Sequence, residues 1–150
     1  MIDKFVKGFE TRFGFKPNMP EHAIVDGFKA FEVSKELYDK SFRIKPLSEG
    51  LLLATNRGGM VMPTQYFLSL NKDGFKNKII LDEKVSFLFT CGRRILKKSA
   101  LRMTGRGPLY LVLNTRDEVL GLAQFKEKEY SNLVNIGEYF KENRMDAVDF

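Results

Sequence analysis

Two apolar runs separated by a polar tetrapeptide constrain the fold of this 150-residue chain most strongly. LYLVLN (109–114) and VLGLAQF (119–125) flank TRDE (115–118), a pattern typical of a β-hairpin. NLVNI (132–136) predicts one further strand, and GEYFKENR (137–144) predicts a short terminal helix. We therefore expect the second half of the chain to be mostly β.

A strand and a helix are predicted before this hairpin. NKIILDE (77–83) contains the strand, and Asp82 suits the N-cap of a helix that carries Val85, Leu88 and Phe89. Gly92 can end that helix in the left-handed conformation, which glycine tolerates.

The first half mixes helices with short strands. Helical spacing of Ile2, Phe5, Val6, Phe9 and Phe13 predicts an amphipathic helix that stops at Gly14 and Pro17. Residues 23–33 predict a hairpin around Asp26-Gly27, and Ser34 suits the cap of a short helix bearing Leu37, Tyr38 and Phe42.

The remainder of the first half predicts a strand, a turn and a helix. LLLAT (51–55) indicates a buried strand and NRGG (56–59) a turn. Pro63 suits the first position of a helix with Tyr66, Phe67 and Leu70 on its apolar face. Since the pattern changes near residue 76, we predict an α+β protein with domains at 1–76 and 77–150.

Composition restricts where such a chain works. Its longest apolar runs fall far short of the ~20 residues that span a bilayer, and its N-terminus mixes charges with apolar residues, unlike a secretory signal. The single cysteine, Cys91, forms no internal disulfide. We expect a cytoplasmic protein with no membrane partner.

The positive charge is concentrated in one segment. The net charge is +6, divided equally between the two halves, which favours polyanionic partners. CGRRILKKSALRMTGRG (91–107) contains no acid, and a charge run of this kind is either a solvated surface or a nucleic-acid contact. Its six basic residues are Arg93, Arg94, Lys97, Lys98, Arg102 and Arg106.

The same segment imitates a phosphate-binding loop without meeting its requirements. In G-x-x-x-x-G-K-[ST] the second glycine lets backbone N–H groups surround the phosphates, but Lys97 occupies that position here. The segment also follows a predicted helix, whereas a nucleotide loop follows a strand. Nucleotide hydrolysis is therefore not expected.

No other pattern supports catalysis. His22 is the only histidine and lies in a proline-flanked loop, while Cys91 reads as a small apolar residue at a helix end. Neighbouring acids have simpler roles in turns and helix starts, and no metal-ligand spacing occurs. We expect a non-enzyme without a metal or a cofactor. Four aromatic residues are candidates for stacking on RNA bases, although residues of this type more often belong to the core: Phe125, Tyr130, Tyr139 and Phe140.

Four segments resemble one protein family in their order along the chain. CGRRILKKSALRM (91–103) resembles the loop G-x-x-V-L-K-x-G-x-x-R-[IV], EVLGLAQF (118–125) resembles P-L-G-F, and NIGEYFKE (135–142) resembles D-I-G-E-Y. KAFEVSKELYDK (29–40) resembles V-Y-Y-V-S-E-K-I. These motifs belong to the archaeal and eukaryotic nuclear-import-protein-seven family of ribosome-assembly factors, which carry a PUA domain, a small RNA-binding β-barrel.

The resemblance implies an α+β pre-PUA domain (1–76) packed on a C-terminal PUA-like β-barrel (77–150). It implies a non-catalytic RNA-binding protein in ribosome biogenesis or in rRNA or tRNA processing, with rRNA, pre-rRNA or tRNA and ribosome-assembly proteins as partners. Gly92 would hold the helix-to-loop turn, and Lys97 and Arg102 match the basic positions of the family. Arg93, Arg94, Lys98 and Arg106 complete the predicted RNA-binding set, and Ser99 replaces the second loop glycine.

Two other functions remain open from the sequence. The basic loop could dock on an acidic protein partner, which would make the chain an interaction adaptor. The chain could also be the accessory RNA-binding subunit of an RNA-modifying enzyme.

Overall fold

The computed structural model describes residues 2–39 and 50–137. The chain divides into two compact units, Met1–Gly74 and Phe75–Phe150. Both contain helices and antiparallel strands, so the chain is α+β. Within the described ranges, none of the helices has the length and apolar character needed to cross a membrane.

The first unit is built on a four-stranded antiparallel sheet whose strands are neighbours in chain order. The strands are β1 (Ala23–Asp26), β2 (Lys29–Glu32), β3 (Leu51–Arg57) and β4 (Met60–Pro63). The helices are α1 (Ile2–Phe13), α2 (Lys35–Asp39) and α3 (Gln65–Leu70), and a 3₁₀ turn follows at Lys72–Gly74.

Phenylalanines form the core of the first unit. Phe9 is fully buried, and its ring centroid lies 5.4 Å from that of Phe67 in an edge-to-face contact. Helix α1 approaches β4 closely at Gly8, where an added Cβ would lie 2.9 Å from Val61 Cγ2. The small residue at position 8 thus lets the helix lie against the sheet.

Over residues 75–137, the second unit contains a curled six-stranded sheet and one α-helix. Along the sheet, the order is β6-β10-β9-β8-β5-β7, with β5 and β8 parallel and all other pairs antiparallel. The elements are β5 (Lys78–Leu81), α4 (Glu83–Thr90), β6 (Ile95–Leu96), β7 (Arg102–Thr104), β8 (Leu109–Asn114), β9 (Val119–Lys126) and β10 (Glu129–Asn135).

The core of the second unit lies between α4 and the concave sheet. Phe89 of α4 and Ile95 of β6 pack there with Tyr110 and Tyr130, whose ring centroids are 5.5 Å apart. At Gly121 of β9 a Cβ would lie 1.9 Å from the Val134 carbonyl oxygen, so any side chain would force the two strands apart. Glycine in the VLGLAQF segment is therefore a packing requirement.

Several local predictions are confirmed. Helix α1 ends at Phe13, and Gly14 follows with a φ of 81°. The Asp82 carboxylate accepts a hydrogen bond from the Val85 N–H at 2.8 Å, so Asp82 is the N-cap of α4. The Ser34 hydroxyl oxygen accepts from the Leu37 N–H at 3.2 Å, as expected for the cap of α2. Phe42, the predicted terminal helix beyond residue 137, Tyr139 and Phe140 lie outside the described residues.

Two predictions about the first unit are wrong. Pro63 does not begin a helix but ends β4, an edge strand where the missing N–H of proline is tolerated. The N-cap is Thr64, and α3 buries Phe67 and Leu68 while Tyr66 and Leu70 are exposed. A longer β3 also includes the first half of the predicted NRGG turn, so the turn is only Gly58-Gly59, with positive φ at both glycines.

Candidate nucleic-acid interface

The basic segment supplies both edges of the six-stranded sheet. It begins after α4, where Gly92 has a φ of 86° and the Arg93 N–H donates to the Leu88 carbonyl at 3.1 Å. Strand β6 then pairs with β10 at one edge, and β7 pairs with β5 at the other. The predicted left-handed end of the helix at Gly92 is confirmed.

One buried residue anchors the first edge. Ile95 is paired with Tyr130 in the ladder and its side chain lies in the core, whereas its neighbour Leu96 is 43% exposed. A 3₁₀ turn, Lys97–Ser99, follows directly. The Lys97 N–H donates to the Lys128 carbonyl at 3.0 Å, which fixes this turn beside the β9–β10 hairpin.

The β9–β10 hairpin turns tightly without glycine. Lys126 pairs with Glu129, and the two residues between them, Glu127 and Lys128, have φ values of 54° and 67°. Positive φ at both central residues is the geometry of a type I′ turn, which usually requires Asn or Gly. The turn therefore holds Lys128 in a conformation that lysine rarely adopts.

Three lysines meet where these two turns adjoin. A cavity of about 570 Å³ is lined, among the described residues, by Leu96, Lys97, Lys98 and Lys128. All three lysines are exposed, and within the described part of the chain none of them forms an ion pair. We call Lys97, Lys98 and Lys128 the lysine cluster. It combines three exposed ammonium groups with one apolar side chain.

An aromatic ring lies close to the lysine cluster. The Lys97 ammonium nitrogen is 5.9 Å from the centroid of the half-buried Phe125 ring. Phe125 also packs against Tyr130, with ring centroids 4.8 Å apart. Tyr130 is fully buried, so its predicted alternative as a core residue is correct and it offers no face to a base.

Arg94 points to a different neighbour. Its guanidinium lies 3.7 Å from the Glu129 carboxylate, and the two side chains are 76% and 40% exposed. Pairs this exposed contribute little to stability. The main chain next to Arg94 is held by a hydrogen bond, in which the Asn132 side-chain amide donates to the Arg93 carbonyl at 3.0 Å.

Arg102 and Arg106 belong to the second edge. Arg102 pairs with Ile80 in the ladder between β5 and β7. Arg106 lies in the next loop, where the Asn77 side-chain amide donates to its carbonyl at 2.9 Å. Both side chains are exposed and neither lines the cavity of the lysine cluster. The predicted basic set thus divides between two edges of the sheet.

Lys128 was not among the RNA-binding residues predicted from the sequence. The run KEKE (126–129) has the alternating charges of a solvated surface, and no Asn or Gly marks the turn inside it. The available signal was the distance between VLGLAQF and NLVNI, which is short enough for a tight hairpin. Only the pairing of β6 with β10 brings Lys128 to Lys97.

The two residues considered for catalysis occupy simple positions. His22 is half-buried, with its ring centroid 5.3 Å from that of Tyr38. Cys91 is the C-cap residue of α4, in agreement with its interpretation as a small residue at a helix end, and it is exposed. Over residues 2–39 and 50–137, no group of three His, Cys, Asp or Glu could hold a metal.

Burial changes the acidity of one residue behind the interface. The pKa of Tyr130 is raised to about 12, first because burial disfavours the charged phenolate and second because Tyr110 lies beside it. Its hydroxyl donates to the sulfur of Met103 on β7. Tyr130 therefore links β10 to the strand at the opposite edge across the concave side of the sheet.

Comparison with known proteins identifies the fold. No protein-family model and no curated protein matches the sequence. A conserved PUA domain protein from Thermoplasma acidophilum matches the structure with a TM-score of 0.60 and 10% identity, over 89% of this chain and 87% of that one. A PUA domain from Aeropyrum pernix K1, solved as a tartrate complex, matches with a TM-score of 0.62 and 10% identity, over 91% and 82%. The predicted α+β fold with a PUA-like barrel is confirmed.

Proposed function

We propose that this chain is a non-catalytic RNA-binding protein that holds the RNA backbone on its lysine cluster. The observation that carries the proposal is the meeting of Lys97, Lys98 and Lys128 around one cavity. Lysines without acidic partners attract phosphates, and such contacts give affinity without reading sequence. Leu96, in the same cavity, provides an apolar surface for a ribose or a base.

The other predicted RNA-binding residues contribute to RNA contact to different extents in this proposal. Arg93 and Arg94 extend the positive surface along the same edge, with Arg94 partly neutralised by Glu129. Gly92 sets the direction of the loop through its positive φ. Arg102 and Arg106 would contact a strand of RNA only if it continues to the other edge.

The more specific biological role and the two domains are proposed from the family resemblance. PUA-like structural neighbours support an RNA-binding module, and the motif order supports a pre-PUA domain at 1–76 and a PUA domain at 77–150. We accordingly propose a cytoplasmic role in ribosome biogenesis or in rRNA or tRNA processing, with ribosome-assembly proteins as further partners. In this role the chain needs no cofactor.

Filter binding with a single-stranded RNA oligonucleotide over a salt series tests the proposal. The unchanged protein should give a log–log salt slope of roughly −2 to −4, since three to five phosphates contribute about 0.7 each. In the triple variant Lys97→Ala, Lys98→Ala, Lys128→Ala, the magnitude of the salt slope should be smaller by about 2.

A charge-matched control separates a site from a general charge effect. Lys7, Lys16 and Lys35 are exposed lysines of the first unit, and changing all three to alanine removes the same charge. This control variant should retain most of its affinity for RNA. Equal losses in the two triple variants would reject the lysine cluster as the site. RNA affinity unchanged in both, together with a protein partner that survives nuclease treatment, would instead favour the adaptor.

A further inference from the structure

An exposed aromatic ring stands at one end of the first unit's sheet. Phe28 is the second residue of the two-residue turn between β1 and β2, and it is 41% exposed. Phe5, Phe9, Phe31 and Phe67 of the same unit are buried. The exposure of Phe28 costs hydrophobic free energy that a polar turn residue would not. An exposed ring at this position is available for contact with a ligand.

Two cations lie over the Phe28 ring. The guanidinium carbon of Arg57, at the end of β3, is 4.4 Å from the ring centroid, and the Lys29 ammonium nitrogen is 5.5 Å away. The Asn56 N–H donates to the Phe28 carbonyl at 2.7 Å, which fixes the turn against β3. The ring is thus held in place before any ligand arrives. Asp26, opposite Lys29 in the ladder, is the nearest acid in register.

A cavity opens beside the ring. It has a volume of about 240 Å³ and, among the described residues, is lined by Lys4, Phe5, Val25, Gly27, Phe28 and Asn56. None of these lining residues is acidic. An aromatic ring that lies beside a cavity and is flanked by cations suits a planar ligand joined to negatively charged groups.

We propose that this surface, which we call the Phe28 site, binds an unpaired nucleobase of single-stranded RNA. The base stacks on the face of Phe28 opposite Arg57, whose guanidinium covers the other face of the ring, while Lys4 and Lys29 contact the phosphates on either side. Aromatic stacking between flanking cations is the usual way in which proteins hold single strands. An acidic peptide would use the cations but would leave the ring without a role. The Phe28 site would act in addition to the lysine cluster and uses no residue of the second unit.

A tryptophan at position 28 reports stacking directly. The chain contains no tryptophan, so Phe28→Trp introduces a single tryptophan whose emission is followed separately from that of the five tyrosines. Titration of this variant with a single-stranded adenosine decamer should quench its emission, because a stacked base contacts the indole ring. Inorganic polyphosphate and poly-glutamate, which supply negative charge without bases, should leave the emission nearly unchanged. Affinity for the decamer, measured by filter binding, should fall at least about fivefold in Phe28→Ala and recover in Phe28→Trp.

Phe87→Trp is the matched control for quenching by collision. Phe87 is 67% exposed on α4, and the cavity next to it includes the acids Asp82 and Glu83. Its emission should not respond to the decamer. Equal quenching of the two tryptophan variants would overturn the Phe28 site. Equal quenching of Phe28→Trp by poly-glutamate would overturn it as well and would assign the surface to an acidic protein.

A combined variant separates this inference from the proposed function. Phe28→Trp is placed in the protein that lacks the three lysines of the cluster. Quenching that persists at higher decamer concentration supports the Phe28 site even if the lysine cluster fails its own test. Decamer binding without quenching in the otherwise unchanged protein rejects the Phe28 site alone, and absence of both binding and quenching rejects both proposals.

Discussion

The main-chain N–H of Lys97 donates a hydrogen bond to the main-chain carbonyl of Lys128, at a distance of 3.0 Å. This bond joins the turn after β6 to the turn between β9 and β10, and it brings together lysines that are 31 positions apart in the sequence. Because the link uses backbone atoms, removing the side chains should preserve the arrangement. Alanine variants of the lysine cluster therefore test its charge rather than its folding.

Lys128→Ala should weaken RNA binding about as much as Lys97→Ala. Each change removes one ammonium group from the same cavity and should lower the magnitude of the log–log salt slope by about 0.7. Lys126→Ala is the control, since Lys126 is exposed on the same hairpin but does not line the cavity. A loss in Lys126→Ala equal to that in Lys128→Ala would show that only the overall charge matters.

Lys128→Gly should stabilise the protein while it weakens RNA binding. The positive φ of 67° costs a lysine about 1 kcal/mol that glycine does not lose. Urea unfolding should therefore show a higher midpoint for Lys128→Gly, whereas Lys126→Gly, in the last paired position of β9, should show a lower one. Lower stability in Lys128→Gly would mean that the left-handed turn is not maintained in solution.

The parts of the fold that depend on neighbouring residues could be predicted from the sequence. Strands β8 and β9 follow from their apolar runs, and α4 is bounded by the cap at Asp82 and the glycine at 92. In each case the deciding contact lies within a few residues. The error at Pro63 arose because proline suits both a helix start and the end of an edge strand, and only pairing with Ala54 of β3 decides between them.

The candidate site depends on distant contacts, and the sequence predicted only two of the three lysines of the cluster. The basic segment was recognised by charge, but its division between two sheet edges follows from the pairing of β6 with β10 and of β7 with β5. Lys128 is part of the site because it lies in the β9–β10 turn, which lacks glycine and asparagine, the residues that normally mark such turns. The Phe28 site likewise requires Arg57, 29 positions away, to reach the ring.

Asp82→Ala should destabilise the second unit by about 1 kcal/mol, because the Val85 N–H loses its acceptor. Asp82→Asn keeps a side-chain oxygen at the cap and should retain most of the stability. The free energy of unfolding, measured by urea titration, distinguishes the two variants. A loss in Asp82→Asn as large as that in Asp82→Ala would indicate that charge, and not the hydrogen bond, stabilises the start of α4.

Stability should fall at alkaline pH through Tyr130. Its pKa is about 12 in the folded protein and about 10 in an unfolded chain, so the fold favours the neutral phenol. This contribution is fully present below about pH 10 and is lost as the pH rises toward 12, at a rate on the order of 1 kcal/mol per pH unit. Tyr130→Phe keeps the buried ring and cannot ionise, so its stability should decline less than that of the unchanged protein over this window. Unfolding midpoints measured from pH 8 to 12 would contradict the assignment if the two curves stay parallel.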